Sequence, residues 1–128
     1  MSRQETYADI KEALGIVPGF FDSMPEDSLA SEWALFRRYV LDEVGAIPPK
    51  YRELIGIGAA AAKSCWYCAN FHTGVATLNG ATEEEIQEAV HLAKFGAGWS
   101  AYLSGISYDH DRFLKELGEV GAYVRSSS

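Results

Sequence analysis

No stretch of five or more residues in this chain alternates apolar and polar side chains convincingly, so no segment has the pattern of a half-buried strand. Apolar residues recur instead at spacings of three and four, the period of a helix with one buried face. Residues 5–14 carry Tyr7, Ile10, Ala13 and Leu14 on one side and stop at Gly15. A longer helix is expected from about Ser28 to Val44, striped by Leu29, Trp33, Phe36, Val40 and Val44. Gly45 closes it, and Pro48-Pro49 opens a helix to about Lys63, since proline suits a first helical turn. Ser64 reads as the N-cap of a further helix from Cys65 to about Leu78, ended by Asn79-Gly80. Thr82 and Glu85 spell a capping box for a helix from Glu83 to about Ser104, and a last helix starts near Asp109. The segment Ile16 to Met24 reads as an apolar loop whose Phe20 and Phe21 plug the core. The expectation is an all-α fold of about six helices in one domain, residues 1–128, with a helical hairpin carrying the cysteines.

With 128 residues the chain has enough length for a single core. Hydrophobic residues at 48% and charged residues at 23% are ordinary for a globular protein and exclude a disordered or collagen-like chain. The longest apolar run, Leu54 to Ala62, is far short of the roughly 20 residues a membrane helix needs. Acid stands near the N-terminus where a signal peptide would have its apolar stretch, so a cytoplasmic protein is expected. The net charge of −7, with Arg37-Arg38 as the only adjacent basic pair, argues against nucleic acid and anionic membranes as partners. Seven Tyr, six Phe and three Trp, with several alanine-rich helix faces, exceed what one small core hides, so a homo-oligomer is expected.

Both cysteines fall in one segment, Cys65-Trp66-Tyr67-Cys68. A disulfide between residues so close shuts almost no loop and adds little stability, so the pair reads as a redox site or half a metal site. A C-x-x-C points to a thioredoxin-like protein only beside a βαβ pattern, and none exists here. Two features favour reactive thiols. The opening turn of a helix stabilises a thiolate, and His72 lies four residues after Cys68 on the same helix face, within reach of the thiol proton. Glu53 is the third element. On one continuous helix it would lie roughly 28 Å from His72, whereas a reversal at Ser64 brings the two within a turn or two. A carboxylate there would orient His72 as the third group of a triad does. Gly56 and Gly58 mark tight helix packing, because glycine costs about 1 kcal/mol against alanine inside a helix. Zinc remains an alternative, with Cys65, Cys68 and His72 as ligands and Glu53 as a fourth. Inert burial of the thiols is another, as are a plain core histidine at His72 and a surface carboxylate at Glu53. Trp66 and Tyr67 suit a pocket wall or an interface. His91 and His110 fall off the apolar stripes and take no role.

The block from Pro48-Pro49 through Glu53, Cys65-x-Tyr67-Cys68, His72-x-Gly74 and Gly80-Ala-Thr-Glu-Glu-Glu-Ile86 resembles the alkyl hydroperoxidase D-like branch of the carboxymuconolactone decarboxylase superfamily. The segment Leu14 to Phe20 resembles the entry of many members. The resemblance implies an all-α fold, trimers or hexamers, and reduction of a small-molecule peroxide with no cofactor or metal. On that analogy Cys68 attacks the peroxide, Cys65 resolves the sulfenic acid, Glu53 and His72 relay the proton, and a thiol or disulfide donor of unspecified identity restores the dithiol. Tyr67 stands where the best-known members carry histidine, and a phenol is a poor base at neutral pH. Two other readings are a non-enzymatic oligomeric redox-sensing or binding module and a non-redox lactone-decarboxylase-type enzyme.

Overall fold

The computed structural model describes residues 1–128 and is helical throughout, without a strand. Its helices are α1 (Arg3–Leu14), α2 (Gly19–Asp22), α3 (Leu29–Phe36), α4 (Pro49–Ala62), α5 (Trp66–Leu78), α6 (Glu83–Gly105) and α7 (His110–Ser127). A π-helical turn, Arg37–Leu41, continues α3. Local chemistry sets most boundaries. Ser2 and Glu5 close a capping box on α1, Thr82 and Glu85 another on α6, and Gly15 ends α1 in the left-handed conformation at φ 83°. Lys50 pairs with Glu85 at 3.1 Å and ties the first turn of α4 to the first turn of α6.

The N-terminal half builds a small aromatic core. Ile10, Phe21, Leu29 and Trp33 are buried together, and Phe21 meets Trp33 edge-on at 5.4 Å. Trp33 donates its indole N–H to Asp9 at 2.6 Å, and Arg37 clasps the same carboxylate at 2.9 and 3.0 Å. Phe21 plugs this core as expected, but Phe20 is 56% exposed. The residues form the single turn α2 rather than a loop, and neighbours on a helix point about 100° apart, so only one of the two rings can face inward.

The helix expected through Val44 stops at Leu41. Its last turn widens, with the Asp42 N–H bonding back to the Arg37 carbonyl at 2.8 Å, and Asp42 turns extended at ψ 134°. Arg52 reaches across from α4 and donates to the carbonyls of Arg38, Tyr39 and Asp42. Those are the acceptors a finished helix leaves unpaired. Val44, assigned to the stripe, is exposed.

A second core lies where α4 packs on α5 and α6, around Ile57, Ala76 and Ala81 with Leu54, Ile86 and Ala89 against them. Phe71 of α5 meets Phe36 with ring centroids 5.6 Å apart, which sets α5 against the N-terminal core. Neither α6 nor α7 buries any residue. The far half of α6 and all of α7 leave Trp99, Tyr102, Ile106, Leu114, Leu117 and Val124 exposed. No helix is long and apolar enough to cross a membrane.

Candidate active site

α4 and α5 form an antiparallel hairpin, and the reversal between them makes the site. Lys63 closes α4, and Ser64 turns the chain in the left-handed region at φ 56°. The Cys65 N–H then bonds back to the Ala60 carbonyl at 2.9 Å. The reversal comes where expected, but Ser64 is not the cap. Cys65 is extended (φ −92°, ψ 104°) and is itself the N-cap of α5, with its Sγ accepting the Cys68 N–H at 3.3 Å. With Ser64 spent on the turn, the first side chain able to meet the helix's free N–H groups belongs to Cys65.

The two sulfur atoms stand 2.6 Å apart, in direct contact. Both residues are half-buried. That geometry splits the thiols. The Cys65 thiol is pushed down by the Cys68 thiol and by the cap hydrogen bond, against a smaller effect of burial, with Lys63 helping. The Cys68 thiol is pushed up by the same sulfur contact and by burial. The contact thus drives the two thiols in opposite directions, Cys65 down and Cys68 up, and the pair titrates as a unit.

Nineteen residues apart in sequence, Glu53 and His72 meet at 2.6 Å between Oε2 and Nδ1. Glu53 is 2% exposed, one of two buried polar residues in the chain. An ionised carboxylate can only accept, so with Glu53 ionised and the imidazole neutral Nδ1 holds the ring proton and Nε2 is the free acceptor. Charge-assisted contacts of this length are the strong ones. His72 is one turn beyond Cys68 on α5, and Phe71 lies edge-on to its ring at 5.3 Å. The hairpin thus joins the residues singled out in the sequence in two pairs, Cys65 with Cys68 and Glu53 with His72, on successive turns of α5. Tyr67 is not drawn in. It is 79% exposed, with its ring edge-on to the equally outward Trp66 at 5.4 Å. No three His, Cys, Asp or Glu side chains are arranged to hold a metal ion.

An imidazole with a fixed tautomer, set one turn from a thiol that keeps its proton, can take that proton. A second sulfur already in contact can then close a disulfide without moving the backbone. Sequence reasoning missed two things here: Cys65 as a cap and the seat of the His72 ring. The extended backbone at residue 65 leaves no mark on composition. The seat had a signal in Gly56, read as helix packing alone.

Residues 28–108 match the sequence profile described as "Carboxymuconolactone decarboxylase family". No curated protein sequence matches the chain. Among solved structures, the alkylhydroperoxidase AhpD core from Rhodospirillum rubrum superposes with a TM-score of 0.72 and 24% sequence identity. The match covers 87% of this chain and 85% of that one, and it carries the fold.

Proposed function

This chain belongs to the carboxymuconolactone decarboxylase family, and from that footing we propose that it is an AhpD-like, thiol-dependent peroxidase working through a Cys65/Cys68 dithiol–disulfide cycle. The observation that carries the reading is the buried Glu53 carboxylate on His72, one turn from a dithiol in sulfur contact. Cys68 passes its proton to His72 Nε2 and attacks one peroxide oxygen. The S–O bond forms as the O–O bond breaks, and the departing alkoxide takes the proton back from His72 as alcohol. Cys65 attacks the Cys68 sulfenic acid as its thiolate, the S–S bond forms as the S–O bond breaks, and the departing hydroxide takes a proton from solvent to leave as water. Two electrons have gone from the dithiol to the peroxide, and an external dithiol returns them by exchange. Such a cycle suits the reducing cytoplasm.

Each group has one task. Glu53 fixes the tautomer and holds the imidazolium while it exists. His72 moves the proton. Trp66 and Tyr67, standing outward beside the cysteines, offer an aromatic surface to the donor or to a neighbouring subunit. Assembly is part of the proposal, because apolar side chains along α6 and α7 face water in the single chain and a second copy would cover them. Steady-state peroxide consumption with dithiothreitol or dihydrolipoamide tests the function. Sustained turnover is expected. One equivalent of peroxide consumed per chain and no more would make the dithiol a sensor.

A further inference from the structure

Gly56 follows Glu53 by three residues on α4 and shares its face. The His72 ring occupies the place where a side chain at 56 would go. A Cβ on Gly56 would stand 2.6 Å from His72 Nδ1 and 2.7 Å from both Cγ and Cε1, whereas ordinary contact begins near 3.4 Å. The atom it would meet most closely is the one bonded to Glu53. Backbone geometry gives no reason for glycine at 56, which sits in the middle of a regular helix where glycine is unfavourable. Gly58 makes the contrast. A Cβ there would meet only the Ala89 carbonyl oxygen, at an ordinary 3.7 Å.

We infer that Gly56 is a positioning residue: its missing side chain is the seat that lets the His72 imidazole lie on α4 with Nδ1 against Glu53. This deepens the peroxidase reading and, for its catalytic consequence, rests on it. An alanine at 56 has to push the ring or the whole of α5 back by about 0.8 Å, the difference between 2.6 and 3.4 Å. The displacement falls on the 2.6 Å hydrogen bond, and misplacing a catalytic group by about 1 Å can cost 100-fold in rate.

The test compares Gly56→Ala with Gly58→Ala in two readouts: peroxide turnover with dithiothreitol, and the ring nitrogen NMR shifts of His72, which report its tautomer. Gly56→Ala should lose about 10- to 100-fold in turnover, and its His72 should leave the Nδ1-protonated form. Gly58→Ala should match the parent in both. Unchanged His72 shifts in Gly56→Ala overturn the inference whatever the turnover does. A parent protein that turns over no peroxide sinks the functional reading, while the NMR comparison still decides the seat. If Gly56→Ala does not fold, Gly56→Ala/His72→Ala should, because the ring that collides is gone. Failure of that double variant to fold where His72→Ala alone folds would show that the glycine serves helix packing and not His72.

Discussion

Replacing Glu53 with glutamine keeps the shape of the side chain and removes its charge, which isolates what the carboxylate does for His72. The parent contact is a 2.6 Å hydrogen bond from the imidazole to a carboxylate that is 2% exposed. Hydrogen bonds to charged groups contribute about 1.5–3 kcal/mol and neutral ones about 1 kcal/mol, and the glutamine oxygen can still accept. The difference, about 0.5–2 kcal/mol, is lost when His72 carries the proton taken from Cys68. At 1.36 kcal/mol per tenfold in rate, that is a fall of roughly 2- to 30-fold in turnover. Single-turnover oxidation of the reduced protein by a small hydroperoxide measures the step directly, free of the rate of re-reduction. The fall should appear in that first step. Resolution by Cys65 should keep its rate, because the Cys65 sulfur is stabilised by the cap and by Lys63 and not by Glu53. An unchanged first-step rate in folded Glu53→Gln would refute the relay and leave Glu53 as a structural acid. An equal loss in both steps would show that the substitution loosened the hairpin.

Cys65→Ser should leave a sulfenic acid on Cys68 that a dimedone adduct traps, whereas Cys68→Ser should abolish reaction with peroxide; parent-rate consumption by Cys68→Ser would exchange the two roles. The Asp9 carboxyl is held below the usual carboxylate range by the Trp33 N–H and then by Arg37. Its contribution to stability is therefore present above the unfolded value near pH 3.9 and disappears as pH falls through the lower folded value. Asp9→Asn should lower the urea midpoint at pH 7, and the gap from the parent should close in acid below about pH 4; a gap that stays constant with pH would rule out the charge as its source. Sedimentation at micromolar concentration should give a multiple of the 14.0 kDa chain mass, with each contact burying more than about 1,000 Å², and a mass of one chain would refute the proposed assembly.

How far the sequence carries a reader depends on whether the signal is local. The capping box at Thr82–Glu85, the proline start of α4 and the reversal near Ser64 are set within a few residues and are legible as such, whereas the equally local Ser2–Glu5 box was missed and α1 starts at Arg3, ahead of the expected residue 5. The meeting of Glu53 with His72 was legible for the same reason, since one turn fixes how two helices of known length fold back. The end of α3 was not legible. It depends on Arg52, at least ten residues further along, reaching back to the carbonyls of Arg38, Tyr39 and Asp42. The same limit applies to the thiols. Periodicity puts Cys68 on the face of His72, but it does not show that Cys65 caps the helix. The sulfur contact and the cap together lower the Cys65 thiol, and the same contact raises the Cys68 thiol, the one His72 can serve. Gly56 lies between these cases. Its identity is visible, and its cost in a helix says that something offsets it, but only the three-dimensional contact names the offset as an imidazole ring. A glycine one turn after a buried acid, on a helix that folds back along a histidine, therefore deserves to be read with the proton relay before it is assigned to packing.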